Sequence, residues 1–350
     1  MFDMSLSYLH GKPQASGVLR SCPEDFIVEE FLPFEPSGDG EHVFLQIQKK
    51  GLNTQFVADE LSKFSGEHPK NISYAGLKDK HAVTTQWFCV RMPGKPMLDW
   101  HQMNSEALTV VTVTKHIKKL KTGALLGNRF RLTLRDVTHI ETLQERFEAL
   151  CQRGVPNYFG EQRFGHGGQN LERAQEMFDG KRIKNRKQRS LYLSSVRSYL
   201  FNQTVQTRIN QHKTFPLAGD IAMLKGTRSF FYVDSWDDQL QRRLQERDIV
   251  LSAPLWGRGT LESTDEARHL EEQVAEQWAW MASGLEQAGL EQERRPLLLY
   301  PEQPKLELDI QANKMMIEFT LPAGCFATSV LRELIDYRDQ QKISFKDEKA

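Results

Sequence analysis

The sequence predicts a two-module protein of the α/β (α+β) class. Three observations carry that reading. Strand-like and helix-like runs alternate through the first half, a break at Gly154-Val155-Pro156 opens a stretch of different character, and strand-like runs return after Pro301 and Pro304.

Val43 to Gln48 alternates as a strand, and Asn53 to Phe64 carries a helical apolar stripe through Phe56, Val57, Leu61 and Phe64. Ile72 to Ala75 and Trp87 to Val90 are rich in aromatic and β-branched residues and read as strands. Ala107 to Thr114 is another. In Arg129 to Arg135, Phe130, Leu132 and Leu134 share one face while Arg129, Arg131, Thr133 and Arg135 share the other, so one side is core and the other basic. Thr142 to Cys151 is an amphipathic helix through Leu143, Phe147, Leu150 and Cys151, and the glycine-proline break ends it.

From Pro156 to about Tyr300 the chain is more polar, with a long apolar-periodic stretch at Leu191 to Ile209 and an acidic, glutamine-rich segment from Asp234 to Glu293. Leu306 to Ile310 and Met315 to Leu321 then read as strands, followed by a helix through Val330, Leu331, Leu334 and Ile335. The economical partition is a discontinuous module of residues 1–153 and 303–350 with residues 154–302 inserted. The charged tail from Lys342 to Ala350 is expected to fray.

The segment richest in chemical information is Gly76-Leu77-Lys78-Asp79-Lys80-His81-Ala82-Val83-Thr84-Thr85-Gln86, a glycine-led polar loop between two strands. It sets one carboxylate between two lysines, on a loop carried by a rigid scaffold, where chemistry tends to sit. Taken alone, such a run is more often a solvated turn.

Its ordered series G-L-K-D-K-x-A-x-T-x-Q resembles the catalytic motif of the tRNA pseudouridine synthase D (TruD) family. Five further segments resemble that family in the same order: Arg20 to Glu30 with Pro23-Glu24-Asp25-Phe26; Gly40-Glu41-His42 leading to Lys50-Gly51-Leu52-Asn53-Thr54; Gly127-Asn128-Arg129-Phe130; Gly154 to Gly165; and Leu321 to Ser329. The resemblance implies a catalytic domain with a mixed, mainly antiparallel sheet and an inserted α/β TRUD domain that contributes to RNA binding. It also implies isomerisation of uridine to pseudouridine in tRNA, in the D-arm region at position 13.

That reaction breaks the bond from ribose C1′ to uracil N1, turns the base and joins C5 to the same carbon. No redox step is involved, so no cofactor and no metal are expected. A carboxylate suits an anomeric carbon as nucleophile or base, and the family motif places Asp79 in that role. With an ordinary pKa of about 3.9 it is ionised at neutral pH, and a neighbouring cation would keep it so when RNA excludes water. The candidates are Arg20, where the family more often carries lysine, and the local Lys78 and Lys80.

By family position Phe130 stacks on the uracil, Phe26, Asn128 and Phe326 line the pocket, and Asn128 hydrogen-bonds the nucleotide. Aromatic stacking contributes about 1–3 kcal/mol per base and offsets the cost of swinging the target out of its stack. On composition alone these phenylalanines would be plain core. Two basic runs suit phosphates: Lys115, Lys118, Lys119 and Lys121 before the Asn128 motif, and Lys181, Arg182, Lys184, Arg186, Lys187 and Arg189 in the inserted module.

The 350-residue chain has 46 basic and 46 acidic residues, so a polyanion must be held by local patches. Cys22, Cys89, Cys151 and Cys325 stand far apart, without C-x-x-C or metal-ligand spacing. Gly165-His166-Gly167-Gly168 lacks the lysine and hydroxyl of a phosphate loop. Without an apolar run of secretory or membrane length, the protein is expected to be cytoplasmic, with tRNA as partner, no membrane association and no obligate protein partner.

Two other classes fit parts of the pattern. A non-catalytic RNA-binding or chaperone module would use the same basic and aromatic surfaces and leave Asp79 dispensable. A carboxylate glycosidase would need a second acid, for which Glu24, Asp25, Glu29 and Glu30 are candidates.

Overall fold

Alternation of period two and stripes of period 3.6 become strands and helices in the computed structural model, which describes residues 2–341. The tail expected to fray lies outside the described residues. The first stretch runs β1 (Ser16–Leu19), β2 (Phe26–Phe31), β3 (His42–Lys50), α1 (Thr54–Ser65), β4 (Ile72–Tyr74), β5 (Val83–Arg91), β6 (Leu108–His116), β7 (Gly127–Thr138) and α2 (Leu143–Arg153). The middle contains β8 (Val155–Pro156), α3 (Gln169–Phe178), α4 (Arg186–His212), β9 (Ile221–Leu224), β10 (Phe230–Tyr232), α5 (Asp238–Gln245), β11 (Ile249–Leu255), α6 (Asp265–Gln277), α7 (Ala279–Gln287), β12 (Glu293–Pro296) and β13 (Leu298–Leu299). The last stretch is β14 (Glu302–Asp309), β15 (Lys314–Pro322), α8 (Ala327–Leu334) and β16 (Asp336–Asp339).

The described chain divides into two units. Of the described residues, one comprises 13–151, 301–324 and 334–341; the other comprises 2–12, 152–300 and 325–333. Residues 2–12 and the segment from Cys325 to Glu333 thus group with the middle of the chain.

In the first unit, ten strands among the described residues share one sheet, in the order β14-β15-β7-β2-β5-β3-β6, with β1 joining β7 and β16, and β4 joining β5. Pairing is antiparallel except at β2–β5 and β1–β16, which gives a mixed, mainly antiparallel sheet. The core face of β3 presents Val43, Leu45 and Ile47 to Val57, Ala58 and Leu61 of α1 and to Phe88 and Val90 of β5. Burying each such side chain contributes about 1.5–3 kcal/mol. α1 starts where expected because the Asn53 side chain caps Phe56 N, and it stops at Gly66 in the left-handed region.

β7 lies between β15 and β2 in this sheet. Phe130, Leu132 and Leu134 are buried, and the opposite, basic face is partly neutralised across strands by Arg131–Glu318 and Arg135–Asp25 ion pairs. Gly127 is needed at its start, where a Cβ would come within 2.4 Å of the Leu321 carbonyl. In the second unit α4 packs Val196, Tyr199, Leu200 and Val205 against Tyr158, Phe159 and Phe164. Gly154, at φ +74°, turns the chain into β8, and a Cβ there would strike the Tyr300 ring.

Candidate active site

Asp79 sits on the loop between β4 and β5, and side-chain hydrogen bonds of Thr54, Gln86 and Lys49 fix that loop. Thr54 Oγ1 accepts from Lys78 N at 2.9 Å and donates to Gln86 Oε1 at 2.9 Å. Gln86 Nε2 donates to the Gly76 carbonyl at 3.2 Å. Lys49 Nζ donates to the Asp79 carbonyl at 3.0 Å and to the Leu52 carbonyl at 2.6 Å. The threonine that opens α1 and the glutamine that closes the loop motif therefore act together, which explains their place in two distant sequence segments.

Arg20 is the candidate cation that reaches the carboxylate. It follows β1 with φ 60°, a conformation costly for a residue other than glycine and typical of functional positions. Its Nη2 donates to Asp79 Oδ2 at 2.9 Å, and its Nη1 to Asp339 Oδ2 at 2.6 Å. Asp339 ends β16, which pairs in parallel with β1 so that Leu19 stands opposite Asp339. The guanidinium also lies 3.9 Å from the centroid of the Phe26 ring, a cation–π contact. Asp339 had no signal in the sequence beyond being an acid near the end of the chain.

Lys78, the second candidate cation, turns away from Asp79. Its Nζ pairs with Glu30 Oε2 at 2.9 Å and donates to Asn128 Oδ1 at 2.7 Å. Lys80 is exposed and joins none of these contacts. Exposure separates the members: the Asp79 side chain is 38% accessible, against 4% for Arg20, 6% for Asp339, 9% for Lys78 and 0% for Glu30. Lys49 is fully buried as well. Three cations and three carboxylates thus form one cluster, and Asp79 is its member most open to solvent.

Phe26 and Phe130 are both largely buried and meet edge to face, their centroids 6.3 Å apart, with Phe319 behind Phe130 at 5.7 Å. Asn128 is buried, its carbonyl oxygen taken by Lys78. Phe326 belongs to the other unit, where it packs on Phe159 at 5.9 Å.

The other acids of the amino-terminal motif are each engaged by a cation. Glu24 pairs with Lys50, Asp25 accepts from Arg135 at 2.8–3.1 Å, Glu29 lies 3.8 Å from Arg129, and Glu30 holds Lys78. Among the described residues there is no cluster of three or more His, Cys, Asp or Glu suited to a metal ion, and none of their helices is long and apolar enough to cross a membrane.

Of the basic runs, Lys115 lies at the end of β6 and Lys118, Lys119 and Lys121 are exposed in the connection to β7, with Lys119 donating to the Lys70 carbonyl. Lys181, Arg182, Lys184, Arg186, Lys187 and Arg189 are exposed in the other unit. Lys181 is paired with Glu176. Arg186, Lys187 and Arg189 occupy the first turn of α4, capped by Asn185 and containing no acid.

The family model for tRNA pseudouridine synthase D (TruD) matches residues 3–172 and 169–334. A tRNA pseudouridine synthase D of Shewanella oneidensis is 53% identical over 341 residues, covering 97% of this chain and 92% of that relative. One of Colwellia psychrerythraea is 46% identical over 342 residues, covering 95% and 93%. A solved structure from Methanosarcina mazei, described as a tRNA pseudouridine synthase D, superposes with a TM-score of 0.75 at 23% identity, covering 94% of this chain and 95% of that one. At that identity the structural match speaks for the fold alone, while the family model and the sequence relatives run through nearly the whole chain. The chain belongs to the tRNA pseudouridine synthase D (TruD) family.

Proposed function

We propose that this protein is a tRNA pseudouridine synthase that isomerises the uridine at position 13, in the D-arm region, with Asp79 as the key catalytic residue. The observation that carries the reading is the uneven exposure of the charge cluster: Asp79 keeps one oxygen on Arg20 while its side chain stays open to a substrate. Five charged partners are buried around it, so its position is preorganised.

In this reading the Asp79 carboxylate meets the ribose C1′ region of a flipped nucleotide. The C1′–N1 bond breaks, the C5–C1′ bond forms, C5 releases its proton and N1 takes one, so the product is an isomer. Arg20 holds the carboxylate in place, and the Asp339 contact holds Arg20. Phe130 and Phe26 form the wall that receives the uracil, with Asn128 and Lys78 as the polar edge. The exposed basic residues on both units take tRNA phosphates. Positive charge in the first turn of a helix opposes the helix dipole, so Arg186, Lys187 and Arg189 are better accounted for by an anionic partner than by α4 stability. A cytoplasmic location follows from the substrate.

Release of tritium from tRNA carrying 5-tritiated uridine tests the reading, because C5 must lose its hydrogen. Release by the wild type and none by Asp79→Asn, in the absence of any added cofactor, is expected. Tight, salt-sensitive tRNA binding with no release would instead favour the RNA-binding module.

A further inference from the structure

Lys49 stands where the pattern of β3 calls for an apolar residue. Val43, Leu45 and Ile47 precede it on the same face and are buried in the core with α1, and Lys49 continues that row with no accessible surface. Taking an ammonium out of water costs several kcal/mol unless its partners compensate. Its hydrogen-bond partners here are two main-chain carbonyls, those of Leu52 and of Asp79, and among the described residues no carboxylate contacts its Nζ within ion-pair distance. A leucine or methionine would satisfy the core at that position. The one feature that Lys49 supplies and an apolar residue lacks is a charged grip on the residue proposed to do the chemistry.

We propose that Lys49 is a positioning residue for the isomerisation: its buried ammonium fixes the main chain of Asp79 and lends positive charge beside the carboxylate. Arg20 holds the same residue from the other end, through the side chain. The two grips together set both the place and the direction of the reacting oxygen, and a misplacement of about 1 Å is enough to lose roughly 10²-fold in rate.

The charged groups that face Lys49 come from the Asp79 loop: Asp79 favours the ammonium and Lys78 opposes it. On the flanking strands its register partners are Thr84 of β5 and Leu108 of β6, both uncharged. Burial dominates and brings its pKa down from 10.5 to about 8. As pH rises through that value the ammonium is lost and the grip weakens, so the rate falls. Stability moves the other way over the same interval, because the unfolded chain keeps its proton up to the ordinary lysine pKa and the folded chain does not. A purely structural lysine would not make activity and stability part in this manner.

The inference rests on Asp79 being the catalytic group. The test is the single-turnover rate of pseudouridine formation and the tRNA Kd for the wild type and Lys49→Met, from pH 6.5 to 9.5. For Lys49→Met a rate lower by about tenfold to a hundredfold at pH 7 is expected, with Kd within about threefold. The alkaline fall of the wild type near pH 8 should be absent from the variant. A variant within twofold of the wild-type rate, or one that keeps the same alkaline fall, would overturn the proposal. Should Lys49→Met not fold, the wild-type profile decides: a fall near pH 8 supports the role and a flat profile to pH 9.5 overturns it. Asp79→Asn measured in parallel separates the two readings. If it remains active, the assignment of Asp79 fails and takes this one with it; if it is dead while Lys49→Met is fully active, only Lys49 is removed.

Discussion

Buried arginine–carboxylate pairs occur in both units, and they are built differently. In the second unit Arg208 grips Asp220 through both terminal nitrogens at 2.9 and 2.6 Å, and Asp220 also accepts from Leu217 N. Arg294 holds both oxygens of Glu271 at 3.0 and 2.8 Å, and Ser263 adds a hydroxyl. All four side chains are at most 5% accessible. In the first unit Arg20 instead divides its guanidinium between sealed Asp339 and open Asp79. A carboxylate saturated with donors and closed to water holds a fold together. One held by a single guanidinium nitrogen, with the rest of its side chain open, keeps lone pairs for a substrate.

The largest effect should come from exchanging the two kinds of carboxylate. Asp79→Asn is expected to lower tritium release by about 10³-fold or more while leaving tRNA Kd within about threefold and Tm nearly unchanged. Asp220→Asn should do the reverse, because breaking a buried pair costs about 3–5 kcal/mol: denaturant midpoints fall, while the rate per folded molecule holds. Equal loss of activity in both would end the distinction.

Arg20 belongs to both kinds of pair, so its substitution should show both signatures. Arg20→Met would leave Asp339 buried without its cation and should lower stability by about 3–5 kcal/mol and rate by about 10²-fold. Arg20→Lys keeps the charge and should recover most of the rate, with a remaining deficit because an ammonium lacks the planar fork that spans two carboxylates. Denaturation and single-turnover kinetics on the same preparations would tell the two losses apart.

Phe130 requires a gentler change. Because the ring is buried between Phe26 and Phe319, alanine would open a cavity costing about 3–5 kcal/mol and confuse packing with substrate capture. Phe130→Leu keeps most of the volume and removes the π-face, so kcat/KM should fall by about tenfold, within the stacking range of 1–3 kcal/mol. The smallest effect per residue is expected at Arg186, Lys187 and Arg189. Replacing all three by alanine should weaken tRNA binding and flatten its salt dependence by about 0.7 in slope per lost phosphate contact, with Asp79 chemistry unaltered at saturating tRNA.

Much of this molecule is legible in its sequence. The strand at Arg129 to Arg135, the helix at Asn53 to Phe64 and the loop around Asp79 all stand where periodicity and turn residues place them, because each is specified by neighbours in the chain. The helix beginning near Leu191 is longer than its apolar stretch, since α4 opens on exposed basic residues that periodicity does not register. Lys49 was visible only as a break in alternation at the end of β3, and a lysine at a strand end is ordinarily a solvated one.

The ordered motifs of the sequence determined the family, the mixed sheet and the carboxylate on which the chemistry is proposed to turn. Pairing across long separations decided the rest. The parallel register of β1 with β16 brings Asp339 to Arg20 from 319 residues away, and the turn of the Lys78 side chain toward Glu30 leaves the Asp79 carboxylate to Arg20. Neither is written locally: charge–charge contact depends on distance in space, and a chain records that distance only once its sheet has closed.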